Sequence, residues 1–339
     1  MKKITIVGGF GYMGVELVSR YLKNEKDTKL QIIDLDLWNG EIQLQKIHNL
    51  EKVDIIKCDI NNFAKLNQSI ERFKPNTIFW LAGLVGAPVC KKYFSIANYT
   101  NIISIKNYIN LSLERNHKQF LEKFFFISSC SVYGNTSGVI DIATEKSVTS
   151  PLSEYAKMKL DIEEFLFNHD FSKQISVCIP RITTLFGLSI KPRYDLFLNS
   201  FCLQAGRKKK IIVNGGNQLR SMIHVKDVAS ALFYLENADK KKITREIFHI
   251  GVDKFNLSVL NLAQIVGEIA KIEIEVVKKI DDQRSYKISS KKLYDTINWK
   301  NEIQLEEGIK ELITYSSRIK NENNQDYFNA NFDYEKLYN

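Results

Sequence analysis

Lys3 to Gly14 read KITIVGGFGYMG, and this stretch decides the fold. Its apolar and β-branched residues run on without alternation, as in a strand covered on both faces. The run enters a turn with Gly8, Gly11 and Gly14 spaced G-x-x-G-x-x-G, and a helical pattern follows. Glycine permits the tight turn, and missing side chains let backbone amides approach a pyrophosphate at the helix N-terminus. The pattern therefore predicts a strand-turn-helix unit shaped for a dinucleotide. Asp34 lies 20 residues beyond Gly14, at the end of the next strand in IIDLD. A carboxylate there would hold ribose hydroxyls and repel a 2′-phosphate, which favours NAD over NADP.

Outward from this unit the same rhythm continues. LQIIDL, VDIIKC, TIFWLAG, KFFFISS and ISVCIPR read as buried strands, separated by helical stretches near 12–24, 62–73, 94–115 and 153–170. Buried strands alternating with helices predict an α/β, Rossmann-type doubly wound parallel sheet. Asp59 after the third strand falls at the adenine edge. Trp80 to Gly83 end the fourth with small residues on which a cofactor could lie.

Past residue 185 the rhythm breaks. Residues 211–235 read as strand, glycine turn, strand and helix, REIFHIG as one more buried strand, and 257–271 and 305–320 as helices. We expect an NAD-binding domain over 1–184 to which 222–250 return. A smaller C-terminal α/β substrate-binding domain then takes 185–221 and 251–320, with a polar tail over 321–339.

The 339 residues are 44% hydrophobic and 26% charged, an ordinary globular composition. The net charge of +9 is spread through the chain apart from Arg207–Lys210 and Lys240–Lys242. No basic stripe interleaved with aromatics is present, which argues against nucleic acid; an anionic small molecule would equally welcome the field. No apolar run approaches the ~20 residues of a membrane span, and the first is too short for a signal-peptide core. Five scattered cysteines without metal-ligand spacing read as reduced thiols. The expectation is a cytoplasmic protein with no metal and no membrane partner.

A second constellation gives the chemistry. FFFISSCSVYG ends a strand in the hydroxyls of Ser128, Ser129, Ser131 and Tyr133, and ligands bind at strand carboxyl ends in such sheets. In SPLSEYAKMKLDIEEFLFNHD, Ser150 reads as an N-cap with Pro151 in the first turn. At 100° per residue Tyr155, Met158, Lys159, Ile162, Phe165 and Leu166 share one face, which puts a lysine on the buried stripe. Taken alone, that lysine would snorkel. Beside a dinucleotide it becomes a partner for Tyr155, whose free pKa near 10 must fall before it can act as a base.

Together these motifs, with Asn98 and the PRITTLFG and GGNQLRSMIHVKDVASAL segments, resemble the extended short-chain dehydrogenase/reductase family. The likeness is to its NAD-dependent nucleotide-sugar epimerases and dehydratases, in the branch containing UDP-glucose 4-epimerase. It implies Ser129, Tyr155 and Lys159 as catalytic residues. Around NAD it implies Gly8, Gly11, Tyr12, Met13, Gly14, Asp34, Asp59, Ile60, Leu81, Ala82, Gly83, Asn98 and Lys159. Toward the substrate it implies Ser129, Thr184, Asn199, and Arg220 and Arg284 on a diphosphate. The sequence departs from the family pattern in three places. Thr184 stands where UDP-galactose-type epimerases carry asparagine. Cys130 and Ser131 stand where 4,6-dehydratases carry an Asp-Glu pair. Asn101 replaces a usual glycine. The resemblance implies a 4-epimerase acting on a nucleoside-diphosphate sugar, with a 4-keto-sugar reductase or dehydrogenase as the alternative and an idle NAD-binding regulator as a remote one. A homodimer is implied through Phe94–Glu114 and a stripe of Ala156, Leu160 and Phe167.

Overall fold

In the computed structural model the KITIV run forms β1 (Lys3–Val7) in the middle of a parallel sheet. Residues 1–25, 27–37, 52–113, 115–171, 173–278, 282–319, 329 and 332–337 are described. β1 pairs on one side with β2 (Lys29–Asp34), which pairs with β3 (Val53–Lys57). On the other side lie β4 (Thr77–Trp80), β5 (Lys123–Phe126), β7 (Ser176–Ile182) and β11 (Glu246–Ile250), all parallel. Two-residue β6 (Ser128–Ser129) continues past β5 and pairs with β7. The order β11-β7-β5-β4-β1-β2-β3 reverses direction between β1 and β4, the point where open α/β sheets bind ligands.

The strands hold because both faces are apolar and covered. Ile4, Ile6, Phe79 and Phe125 belong to one buried cluster, and Val7, Ile78, Trp80 and Phe124 to another on the opposite face. Phe79 stacks on Phe125 at 4.7 Å between ring centroids. Each such buried side chain stabilises the fold by about 1.5–3 kcal/mol. Helix α1 (Gly14–Asn24) follows the glycine turn, and α2 (Phe63–Phe73) starts where the Asn62 side chain accepts the Lys65 amide. Next come α3 (Ala87–Lys92), α4 (Phe94–Asn98) and α5 (Ser104–Tyr108). With wider π-type turns at Tyr99–Ile103 and Ile109–Leu113, α4 and α5 make the helical stretch expected near 94–115 continuous from Phe94 to Leu113.

Helix α6 (Glu154–Asn168) carries Tyr155 and Lys159, and its start differs from the sequence reading. Ser153, not Ser150, is the N-cap, its hydroxyl accepting the Ala156 amide. Ser150 instead donates its backbone amide to Val132 while its carbonyl lies against Gly134, so the Pro-Leu step stays extended outside the helix. Ala156, Leu160 and Phe167 pack within the chain, Ala156 with no exposure. Leu160 and Phe167 of that stripe are only partly buried within the single chain.

β8 (Thr184–Phe186), β10 (Leu219–His224) and β12 (Asn256–Ser258) form a three-stranded sheet, and β9 (Ile211–Asn214) pairs with β13 (Ile274–Val277). Helix α7 (Phe197–Gly206) packs against the helix Leu305–Ser316, and α8 (Val225–Asn237) packs on α1. Of the tail expected over 321–339, only Asn329 and 332–337 lie within the described residues. All five cysteines are buried and free. Among the described residues no helix is long and apolar enough to cross a membrane.

Candidate active site

Gly8 and Gly14 show why the turn is written in glycine. Gly8 has φ +87°, and a Cβ on it would stand 2.6 Å from the Ala82 backbone nitrogen. A Cβ on Gly14 would stand 2.6 Å from the Gly8 carbonyl oxygen and 2.7 Å from Gly9. The turn after β1 and the Leu81–Gly83 loop after β4 thus meet backbone to backbone at the switch point. Leu81 and Ala82 amides both reach the Val7 carbonyl, at 2.8 and 2.9 Å. Asp34 locks the turn from the side, its carboxylate accepting the Phe10 amide at 2.9 Å and the Asp36 amide at 3.0 Å. Burial pushes the Asp34 carboxyl up, and those two amides with the charge of Lys191 work against the rise. Asp59 closes the turn after β3 by accepting the Asn61 amide, with Ile60 buried behind it. A narrow backbone cradle at a helix start, with a carboxylate at the adjoining strand end, fits a dinucleotide.

Three expected cofactor residues are placed differently from one another. Met13 packs its side chain on the core, and Asn98 is half-buried at the end of α4. Tyr12 is buried; its hydroxyl donates to the Gly187 carbonyl and accepts from the Asn199 amide. Its side chain is therefore a strut to residues 187–199, and only its backbone remains for a ligand.

The residues expected to react, Ser129, Tyr155 and Lys159, lie at the carboxyl end of the sheet. Lys159 is 7% exposed, and its ammonium donates to the Ile127 carbonyl at 2.7 Å, at the end of the strand that leads to Ser129. It lies 4.7 Å from the centroid of the Phe126 ring and 5.8 Å from that of Tyr155. Burial lowers its pKa to about 8, with Cys90 and Glu163 opposing the fall. Ser129 Oγ accepts from the Ser131 amide at 3.1 Å and the Ser131 hydroxyl at 2.9 Å, which leaves its own proton to be donated. Tyr155 is half-buried, and burial pushes its phenol well up. The charges pulling it back are those of Arg193 and Arg284, two residues outside the Tyr-x-x-x-Lys pattern.

Of the expected substrate residues, Arg220 and Arg284 come together on one carboxylate. Arg284 binds Asp282 with two nitrogens at 2.8 and 2.6 Å, and Arg220 reaches the same group at 2.8 Å. Burial alone would raise Asp282, but the paired guanidiniums hold it well below the usual carboxylate range. Thr184 lies half-buried in β8, hydrogen-bonded to Tyr286. Asn199 is a correction: it is fully buried in α7. Its carbonyl accepts the Gly187 amide and its amide nitrogen serves Arg193 and Tyr12. With both polar ends spent on protein, it braces the wall and presents nothing to a substrate.

Several residues at the site have roles that the sequence does not reveal. Arg193, paired with Asp195, brings positive charge toward Tyr155. Asn101 clamps the loop after β4, accepting the Leu84 amide at 2.8 Å and donating to the Leu84 carbonyl at 2.9 Å. Tyr334, far along the chain, packs with Tyr93 and Met158 in a cluster that Tyr155 borders. Glu163 is buried against Arg181. The only signals were an arginine inside the apolar strand ISVCIPR and a carboxylate one turn past Lys159.

Comparison with known proteins now defines the class. Residues 4–251 match the NAD dependent epimerase/dehydratase family, and the chain belongs to it. The protein is thus an enzyme whose cofactor is NAD, of the extended short-chain dehydrogenase/reductase type. UDP-glucuronate 4-epimerase of Thermodesulfobacterium geofontis is 25% identical over 92% of this chain and 95% of its own. The dTDP-glucose 4,6-dehydratase of Bacillus anthracis, solved with NAD, superposes with a TM-score of 0.79 at 20% identity. That match covers 97% of this chain and 99% of the other. UDP-glucuronic acid 4-epimerase of Bacillus cereus, solved with UDP-glucuronic acid and NAD, gives 0.79 at 22% identity over 93% and 98%.

Proposed function

We propose that the protein epimerises a nucleoside-diphosphate sugar at carbon 4. The observation that carries this reading is the convergence at one sheet edge of a buried ammonium, a neighbouring phenol and a serine hydroxyl with its proton unspent. Tyr155, as phenolate, takes the proton of the 4-hydroxyl while Ser129 holds the same oxygen. The glycine cradle and Asp34 would hold NAD, which when bound would supply a reversible hydride acceptor for carbon 4. The flat 4-keto sugar turns over in between, and Tyr155 gives its proton back to the new alcohol. Lys159 holds the ribose and keeps positive charge beside the phenol, with Arg193 and Arg284 adding to that field. Arg220 and Arg284 take the diphosphate, for which guanidinium forks are suited.

The relatives include dehydratases, and the residues after Ser129 argue against that branch. Elimination of water needs an acid and a base poised there. The Cys130 thiol is pushed far up by burial and donates to the Arg181 carbonyl, while Ser131 donates to Ser129. Neither is poised for such a step. A keto-sugar reductase or dehydrogenase would use the same three residues but exchange its cofactor.

Denaturing the purified protein and measuring released nucleotide separates these readings. One NAD per chain, with conversion of UDP-glucose, UDP-glucuronate, CDP-glucose or dTDP-glucose to its 4-epimer without net NADH, is the expected result. A protein without NAD that oxidises added NADH with a 4-keto sugar would overturn it. Tyr155→Phe should keep NAD and lose about 10²–10⁴-fold in turnover. We also expect a homodimer seated on residues 94–113, where Phe94, Tyr99 and Leu111 are 48%, 49% and 42% exposed. Light scattering at chromatographic dilution reads that state.

A further inference from the structure

Behind the candidate triad lies a buried ion pair that the proposed reaction does not use. Glu163 is 1% exposed and Arg181 4%. Arg181 approaches edge-on: Nε lies 3.0 and 3.1 Å from the two Glu163 oxygens, and Nη2 closes on one of them. A single carboxylate so placed costs several kcal/mol in lost hydration, so the pair survives only because its other contacts are also satisfied. They are. Ser128 donates its hydroxyl to Glu163, and Arg181 Nη1 donates to the Tyr133 hydroxyl at 2.6 Å. His249 Nδ1 faces the Ser289 carbonyl at 2.9 Å, so that nitrogen carries the proton, and the one proton of the Tyr133 hydroxyl is shared between His249 Nε2 at 2.6 Å and the Thr144 carbonyl at 2.9 Å.

At its Glu163 end this network reaches the segment that carries the candidate triad. Ser128 is the cross-strand partner of Arg181 and the immediate neighbour of Ser129. Ile127, on its other side, takes the Lys159 ammonium. Glu163 stands one turn beyond Lys159 on α6, as Lys159 stands one turn beyond Tyr155. We propose that Glu163, locked by Arg181, is a positioning residue of the reaction: it fixes the strand end that carries Ser129 and keeps the neighbouring Lys159 charged. This inference rests on the reading of Ser129, Tyr155 and Lys159 given above.

The titratable groups that face Lys159 are few. Tyr155 and Glu163 come from its own helix and the Cys90 thiol from α3, while β5 and its end supply the Phe126 ring and the Ile127 carbonyl. Among the described residues that face it, Glu163 is the one carboxylate, so its removal should let Lys159 lose its proton at lower pH. Turnover that needs the ammonium would then fall earlier as pH rises.

The test is the pH profile of turnover, on whichever of UDP-glucose, UDP-glucuronate and dTDP-glucose the wild-type protein converts. In Glu163→Gln the alkaline limb should move down by about one pH unit, with NAD still bound. Glu163→Leu with Arg181→Met removes both charges and guards against a variant that fails only because Arg181 is left unpaired. It should shift the alkaline limb the same way but by less, because the positive charge of Arg181 is removed with the negative one. Glu163→Asp keeps the charge but withdraws it by one methylene. It should hold the alkaline limb in place while turnover drops at least tenfold, because the grip on Ser128 is lost. Folded, NAD-loaded variants with wild-type profile and rate would overturn the proposal. So would loss of the fold in all three, which would make the pair structural only. If the wild type converts none of the sugars, or Tyr155→Phe turns over normally, the reading of the triad fails as well.

Discussion

Gly8 and Gly11 share a motif but differ in what surrounds them, and substitution should separate the two. Alanine at Gly8 would force a side chain onto φ +87° and against the Ala82 backbone, where nothing can yield. The turn must then move away from the β4 loop, so Gly8→Ala should lose NAD and melt well below wild type. At Gly11 the φ angle is ordinary and a Cβ would meet only the Gly8 carbonyl oxygen at 3.3 Å. Gly11→Ala should melt close to wild type yet bind NAD weakly, since the added methyl stands where the backbone must approach the pyrophosphate. Cofactor content and melting temperature, measured on both variants, check this. Equal loss of both properties at the two positions would contradict the geometry.

At the scale of elements, the turns at either end of a helix decide what the sequence can reveal. The parallel strands and the inward face of α6 were legible because each depends on a local period that packing then uses directly. The start of α6 was misread by three residues because Ser150 and Ser153 are equal as caps locally. The choice is made by the Val132 carbonyl, which takes the Ser150 amide at 2.9 Å where Gly134 leaves room for the Ser150 carbonyl. The roles of Asn199 and Glu163 were hidden for the same reason: their partners, Gly187, Arg193 and Arg181, arrive from other elements. His117 belongs to this class. Its Nδ1 accepts the Tyr108 hydroxyl at 3.0 Å and pins the chain after Ile109–Leu113 back onto α5. Burial lowers its pKa to about 4, with Glu71 only partly opposing. The unfolded chain therefore binds a proton near pH 6.5 that the folded chain refuses until about 4. Its contribution is complete above pH 6.5 and is lost as pH falls through the window below, by about 1.4 kcal/mol per unit. His117→Gln keeps an acceptor for Tyr108 but cannot titrate. It should melt lower at pH 7 and show a shallower loss of stability between pH 6.5 and 4.5.

Across the whole molecule, hydrogen bonds join the two sides of the site, among them Thr136 to Ser285 and Ala143 to Lys287 through backbone. The Tyr12 hydroxyl and carbonyl, on Gly187 and Ser189, tie the glycine turn to residues 185–201. Arg220 on β10 and Arg284 after residue 281 are held together by Asp282. Three charges there sum to one net positive, and the charge of Arg284 reaches Tyr155. A diphosphate seated on this pair would bridge both sides, so binding should stabilise the whole chain as one unit rather than one part of it. At a hundred times Kd a ligand that binds only the folded state adds about 2.7 kcal/mol. For a chain of this size that should raise Tm by roughly 5 °C. UDP, CDP, dTDP and GDP offered to the NAD-loaded protein should therefore give one such shift, and the base that gives it names the nucleotide. Arg284→Leu should abolish the shift while leaving NAD in place, because the lost guanidinium lies outside the glycine cradle. Asp282→Asn, which keeps the shape but releases both arginines from their shared carboxylate, should weaken the shift without removing it. A full shift in Arg284→Leu would move the diphosphate site elsewhere on the molecule.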